Sequence, residues 1–314
     1  MTTIRIATRE SALARWQADW VAAKLCRRNV ETQMVYVTTQ GDVNLSGPVE
    51  TIGTQGVFTK EVQRAVLDGR ADLAVHSLKD LPTEEAPGLV LAAVPVRAPI
   101  DDCLVSAKYA SLAEIPTGAV IGTGSLRRKA QLTAINPGWE IRPIRGNLQT
   151  RLAKLDRGEY EALILAHAGL VRMGYEERIT EILPTDVLTP AVSQGALGLE
   201  CRETDEQTRT VLETLIDPAA FLAAIAERSL LRALQGGCLA PVGAVSIWNG
   251  LEISLTGRVA AVDGSQILNR TSRAAFSELT VAPENRRLAQ KLGVSVANQL
   301  LSDGAGNLID QARK

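Results

Sequence analysis

The chain has 314 residues, enough for two domains with room for a third, and its 46% hydrophobic and 22% charged residues are those of an ordinary globular protein rather than a disordered or fibrous one. Its 34 basic and 35 acidic residues leave a net charge of −1, which argues against a general nucleic-acid binder. Apolar runs are broken by charge well short of the roughly twenty residues that a bilayer span needs, so no membrane protein is expected.

From residue 4 to about 190, short β-branched runs alternate with amphipathic helical stretches, which predicts α/β architecture with largely parallel sheets. A buried strand is expected over 4–7. The next stretch, 11–28, carries Leu13, Trp16, Trp20, Val21 and Leu25 at helical spacing. Further strands are expected over 34–38, 72–75, 89–94, 120–122, 140–144 and 162–166. Residues 41–56 hold four glycines and a proline without a helical stripe, and read as a mobile, functional loop. The stretch 95–102, with two prolines and the Asp101-Asp102 pair, reads as a crossover between two lobes. A second boundary falls at Asp217-Pro218, an N-cap and a first helical residue. Phe221, Leu222, Ile225 and Leu234 then form the buried stripe of a long helix that Gly236-Gly237 stops. Alternating runs over 242–247, 251–259 and 266–276, followed by a helix over 283–301, predict a small antiparallel sheet with helical cover. The expected domains are 1–96 with a return at about 195–216, then 97–194, then 217–314.

The chemistry-bearing residues are few. Two histidines, His76 and His167, exclude a histidine-rich metal site and leave acid–base work to carboxylates and lysines. Cys26, Cys103, Cys201 and Cys238 are widely spaced and read as free thiols. The first nine residues have neither the apolar core nor the cleavage site of a secretory signal, so a cytoplasmic address is expected. Between Arg127 and Arg172 there are seven arginines and two lysines against four acids, a local excess that suits an anionic ligand.

Five places stand out. Arg9-Glu10-Ser11 lies where a strand gives way to a helix, the edge at which α/β folds bind ligands. His76-Ser77-Leu78-Lys79-Asp80-Leu81-Pro82 concentrates a histidine, a hydroxyl, an ammonium and a carboxylate after another strand; the alternative is a strand-end turn with a surface ion pair and a core histidine. Gly122-Thr123-Gly124-Ser125-Leu126-Arg127-Arg128 runs from a strand into the first turn of a helix, where amide donors, dipole and guanidinium groups meet an anion. Arg145-Gly146-Asn147 with Arg151 repeats that logic, with a helix-surface charge as the alternative for Arg151. Cys238, in the loop after a helix stop, is a nucleophile or attachment point, or else a small buried hydrophobe.

Taken in order, these segments resemble the porphobilinogen deaminase (hydroxymethylbilane synthase) family. The resemblance runs through Arg5-Ile6-Ala7-Thr8-Arg9, Phe58-Thr59-Lys60-Glu61, the stretch from His76 to Pro82 and that from Gly122 to Arg128. It continues through Ile144-Arg145-Gly146-Asn147 with Thr150-Arg151-Leu152, Ala168-Gly169-Leu170, Gln194-Gly195-Ala196 and Gly236-Gly237-Cys238. It implies two α/β lobes like those of a periplasmic binding protein, a cleft active site and a small α+β third domain. It further implies a dipyrromethane cofactor joined by a thioether to Cys238, on which porphobilinogen is deaminated and polymerised four times to hydroxymethylbilane, in tetrapyrrole (heme) biosynthesis. By match of motif, Ser77, Lys79, Asp80, Thr123, Ser125, Arg127 and Arg128 would hold the cofactor. Arg9, Ser11, Arg145, Asn147, Arg151 and Arg172 would hold substrate and growing chain, and Asp80 with Lys79 would be catalytic. The resemblance implies a monomer that needs no metal, nucleic acid or membrane, with uroporphyrinogen III synthase as a downstream partner. Two positions depart from the family pattern: Gln55 stands where many members have a lysine, and Gly124 replaces a common serine. The rival readings are a non-catalytic two-lobed protein that binds a small anion, and a phosphate-handling enzyme, for which no nucleotide motif is present.

Overall fold

The computed structural model describes residues 3–38, 59–237 and 240–313; the expected loop over 41–56 with Gln55, and also Phe58 and Cys238, lie outside them. In chain order the strands are β1 (Thr3–Arg9), β2 (Glu31–Val37), β3 (Leu73–Ser77), β4 (Leu89–Ala93), β5 (Asp102–Val105), β6 (Val120–Gly122) and β7 (Glu140–Arg142). They continue with β8 (Ala162–Ala166), β9 (Glu181–Leu183), β10 (Leu197–Arg202), β11 (Val242–Asn249), β12 (Glu252–Ala260) and β13 (Ile267–Ala275). The described helices are α1 (Ala12–Cys26), α2 (Lys60–Leu67), α3 (Leu126–Ile135), α4 (Leu148–Asp156), α5 (His167–Arg172), α6 (Glu206–Glu213), α7 (Pro218–Ala233), α8 (Pro283–Ser302) and α9 (Ala305–Gln311).

The chain divides into two compact units, Met1–Ala98 with Gly195–Phe221 and Pro99–Gln194 with Leu222–Lys314. In the first, a five-stranded sheet has the order β2-β1-β3-β10-β4. Strands β2, β1 and β3 are parallel, and β10 runs against both β3 and β4. In the second, a five-stranded sheet has the order β7-β6-β8-β5-β9, with β5 against both β8 and β9. The two sheets thus share one topology, and the expectation of largely parallel sheets needs correcting by one reversed strand in each.

Sequence pattern does not single out β5, β9 and β10. Strand β5 is four residues long and opens on Asp102, inside the expected crossover. Gly198 and Glu200 interrupt β10, although its first five residues are buried. Helix α1 begins where Ser11 accepts a hydrogen bond from the Ala14 amide, and buries Ala18, Val21 and Leu25 on the sheet. Asp217 caps α7 through the Ala220 amide, at 2.8 Å, as its position before Pro218 predicts. The helix stop is a left-handed turn, with φ of 52° at Gln235 and 60° at Gly237.

Within the second unit, β11-β12-β13 form an antiparallel meander. Its apolar face, including Ile253, Leu255 and Val259, packs with Leu230 of α7 and with Val296 and Leu300 of α8. Strand β12 alternates buried and half-buried residues along most of its length, the period of two expected of a sheet with one face on the core. Helix α9, absent from the sequence expectation, adds Leu308 and Ile309 to the same core.

Candidate functional site

Most of the described residues singled out by sequence fall at or just after the carboxyl ends of parallel strands, in two sets, one in each unit. In the first unit, Arg9 ends β1 and Ser11 caps α1. Ser77 ends β3, and a single 3₁₀ turn, Leu78–Asp80, follows it. Leu78 is fully buried and its amide donates to the Ala196 carbonyl at 3.0 Å, which fixes the turn and leaves Lys79 half-buried and Asp80 exposed. Arg9, Ser11, Gln17, His76, Ser77 and Asp80 share the wall of one cavity of about 70 Å³, room for a carboxylate or ammonium group.

Beneath that wall lies a polar core. Gln17, 2% exposed, donates from Nε2 to Ser77 Oγ at 2.7 Å. His76 Nε2 lies 2.9 Å from Glu200 Oε2, and Gln63 Nε2 donates to both Glu200 oxygens at 3.0 and 3.2 Å. The buried-histidine reading of His76 therefore fits, though the residue also lines the cavity. Sequence reasoning missed Gln17, Gln63 and Glu200. For Gln17 a signal existed: with Leu13 and Val21 it occupies successive fourth positions, a polar residue on an apolar helix stripe.

In the second unit, Thr123, Gly124 and Ser125 follow β6. Ser125 Oγ accepts from the Arg128 amide at 3.4 Å and caps α3, and Thr123 Oγ1 accepts from the Ser125 amide at 3.3 Å. Gly124 is set by close approach: a Cβ there would stand 2.9 Å from the Ile144 carbonyl oxygen. The departure from the common serine thus coincides with a tight contact between the loops that follow β6 and β7.

Arg127 and Arg128 lie in the first turn of α3, as the sequence predicts, and find an internal counter-charge that sequence reasoning did not identify. They are 3% and 6% exposed and converge on Asp102, which is fully buried. Arg127 Nη2 donates to Asp102 Oδ2 at 2.8 Å and Arg128 Nη2 to Oδ1 at 2.6 Å. Their Nη1 groups donate to the Thr189 and Ile164 carbonyls at 2.6 and 2.9 Å, and Gln194 Nε2 adds a third donor to Asp102 Oδ1 at 2.8 Å. Burial pushes the Asp102 carboxyl up, but the two guanidinium charges outweigh it and hold it well below the usual carboxylate range. Two cations against one anion leave a buried excess of one positive charge. The Nε donors of both arginines are also buried without a protein partner. That donor set fits the carboxylates of an acidic ligand.

The neighbouring residues are partly committed to the fold. Asn147 Oδ1 caps α4, accepting from the Thr150 amide and hydroxyl, each at 2.8 Å. Arg151 donates from Nε to the Gly146 carbonyl at 2.8 Å, and Arg145 is half-buried in the same loop. Arg172, at the end of α5, is 8% exposed, and burial pushes its guanidinium down to about 10. Of the cysteines, Cys103 and Cys201 are buried, and burial pushes their thiols up to about 12 and about 11, so both are poor nucleophiles. Cys26 is exposed and Cys238 lies outside the described residues. Among the described residues no group of three metal-ligating side chains comes together, and no helix is long and apolar enough to cross a membrane.

Comparison with solved structures finds a putative methionine-binding lipoprotein from Bacillus subtilis at 13% identity, covering 68% of this chain and 90% of that one, with a TM-score of 0.43. A methionine-binding protein matches at 11% identity over 72% of this chain and 94% of its own, with a TM-score of 0.44. A lipoprotein from Treponema pallidum matches at 14% identity over 74% and 95%, with a TM-score of 0.43. Two family models match the sequence itself: "Porphobilinogen deaminase, dipyromethane cofactor binding domain" over residues 4–210, and "Porphobilinogen deaminase, C-terminal domain" over residues 221–302.

Proposed function

We propose that this chain, which belongs to the porphobilinogen deaminase family, is a hydroxymethylbilane synthase. It deaminates four porphobilinogen molecules, joins them head to tail on a covalently held dipyrromethane, and releases linear hydroxymethylbilane by hydrolysis. The observation that carries the reading is the buried pair Arg127 and Arg128, which Asp102 neutralises only by half. Every pyrrole of substrate, cofactor and product bears an acetate and a propionate, and charged hydrogen bonds to such groups contribute about 1.5–3 kcal/mol each.

Cys238 would carry the cofactor through a thioether, with Ser77, Lys79, Thr123, Ser125, Arg127 and Arg128 holding its carboxylates. When bound, that cofactor supplies the nucleophilic pyrrole carbon from which the chain grows. Arg9, Ser11, Arg145, Asn147, Arg151 and Arg172 would hold substrate and growing chain. Asp80 is exposed and lines the same cavity as Arg9, so its carboxylate can accept a pyrrole N–H. There it offsets the positive charge that appears on the substrate as ammonia leaves, and takes up the proton lost when the new carbon–carbon bond forms. Lys79, next in the turn, would orient carboxylates beside it. The three-domain division, the monomeric state, the cytoplasmic address and the hand-over of product to uroporphyrinogen III synthase belong to the same proposal.

Intact mass and turnover of purified protein test it together. The mass is expected to exceed that of the sequence by two linked pyrrole units, the Cys238→Ser variant to lack the excess, and porphobilinogen to be consumed. Turnover by a chain of bare mass would overturn the attached cofactor, and a loaded chain without turnover would overturn the enzyme.

A further inference from the structure

The arginine pair is held from a second direction, by the three-stranded sheet. Arg258 of β12 donates from Nη2 to the Asp186 carbonyl at 2.7 Å, and from Nη1 to the Val187 carbonyl at 3.1 Å and to Gln131 Oε1 at 3.0 Å. Its Nε donates to Asn269 Oδ1 at 2.7 Å, on the paired position of β13, so the fork is aimed by its own sheet. Gln131, 1% exposed, stands on α3 one turn beyond Arg127. It brackets Thr189, accepting from the Thr189 amide at 2.8 Å and donating to the Thr189 carbonyl at 3.1 Å. That carbonyl is the oxygen that receives Arg127 Nη1. Strand β11 closes the other side: the Ala244 amide donates to the Pro190 carbonyl at 2.9 Å, and a Cβ on Gly243 would meet the Thr189 carbonyl oxygen at 2.8 Å.

We infer that Arg258 is a positioning residue for the arginine pair: it fixes the 186–190 turn and Gln131, and through the Thr189 carbonyl it sets the placement of Arg127 at the proposed cofactor-carboxylate site. The inference deepens the reading given above and rests on it for the identity of the ligand. A fork with three engaged nitrogens restrains both the turn and the helix, whereas a lysine at 258 keeps the charge and can reach only part of the set. Truncation frees the turn to shift, and an ångström of error at Arg127 weakens its grip on a carboxylate without touching Asp80.

The test uses the full chain as wild type, Arg258→Lys, Arg258→Ala and, as a control on exposed β13, Arg273→Ala. Intact mass reads the fraction carrying cofactor, and the rate at which bare chain gains the two-pyrrole mass when porphobilinogen is added. Arg258→Ala is expected to load about 2- to 30-fold more slowly, the range for a residue acting through a packed network. Arg258→Lys should fall between, and Arg273→Ala should match wild type. Loading of Arg258→Ala at the wild-type rate overturns the inference, whatever its melting temperature; if that variant does not fold, Arg258→Lys at the wild-type rate overturns it equally. A second arm separates this failure from that of the function. Succinate, a simple dicarboxylate, is titrated calorimetrically into Cys238→Ser and Cys238→Ser/Arg258→Ala. Weaker binding to the double variant supports the positioning role even if wild type carries no pyrroles, and equal binding refutes it.

Discussion

Replacing Asp102 by asparagine keeps its shape and removes the carboxylate that bridges two buried guanidinium groups. Asp102 is fully buried and accepts from Arg127, Arg128 and Gln194 at 2.8, 2.6 and 2.8 Å, so an amide would leave two cations facing each other in an interior that water does not screen. Breaking a buried pair from one side costs about 3–5 kcal/mol, far more than the ~1 kcal/mol or less of a surface pair. The sign with pH follows from the native carboxyl, which burial raises but Arg127 and Arg128 pull well below its ordinary value. A depressed native value means stability that is complete above the unfolded carboxyl's value of about 3.9 and is lost as pH falls below it. Asp102→Asn should therefore lower the urea midpoint strongly at pH 7, and the gap to wild type should narrow as the pH is taken below 4. Circular dichroism across a urea series at several pH values measures this. Adding Arg127→Leu to the variant removes one of the two uncompensated charges and should restore part of the loss. A single variant within about 1 kcal/mol of wild type at pH 7 would refute the argument, because no screened or surface role produces the larger number.

Asp80→Asn should leave the fold intact, since Asp80 is exposed on its turn, while turnover of porphobilinogen falls about a hundredfold or more; Asp80→Glu should lie between, and an asparagine rate within a few-fold of wild type would reject the catalytic role. Arg127→Leu and Arg128→Leu should each give a folded chain, because Asp102 keeps one partner, but one whose intact mass lacks the pyrrole units; cofactor-loaded protein in both variants would make the pair structural only. At Asp72, burial raises the carboxyl but the hydrogen bonds from Arg5 and Arg202 outweigh it and hold it at about 2. Asp72→Asn should thus be less stable than wild type at neutral pH and converge with it as pH falls from about 4 toward 2, as acid melts of the two proteins would show.

Where the chain announces its own geometry, the sequence is a sufficient guide. Strands β6 and β8 match their expected spans of 120–122 and 162–166, because each is a short apolar run between turn signals and is buried in a sheet. The meander and α8 are equally legible, since alternation and a proline at the first helical turn are local properties. Strands β5 and β10 are illegible for the opposite reason. Each fills the single reversed place in its sheet, a place created by strands far away in sequence, and each is short or interrupted by polar residues. The shared topology of the two sheets leaves no repeat in the sequence either, because pairing order constrains which residues are buried but not which apolar residue does the filling.

The candidate site shows the same division, with a chemical consequence. Counting charge between Arg127 and Arg172 correctly finds a positive excess, yet the count cannot show where it is spent. Arg142 and Arg157 pair with Glu140 and Glu159 in exposed ion pairs worth little, and Arg151 is drawn onto the Gly146 carbonyl. The part of that excess which lies on α3 is buried in Arg127 and Arg128, whose counter-charge comes from Asp102, a residue the sequence assigns to a crossover. Because that carboxylate serves two cations, the site is left one charge short of neutrality in a buried place where Coulomb forces are strong. A fully compensated pair would have no use for an anion, and two cations without Asp102 would be too costly to bury. Under the proposed function, that partial compensation would let one helix turn be both a stable part of the core and a receptor for carboxylates.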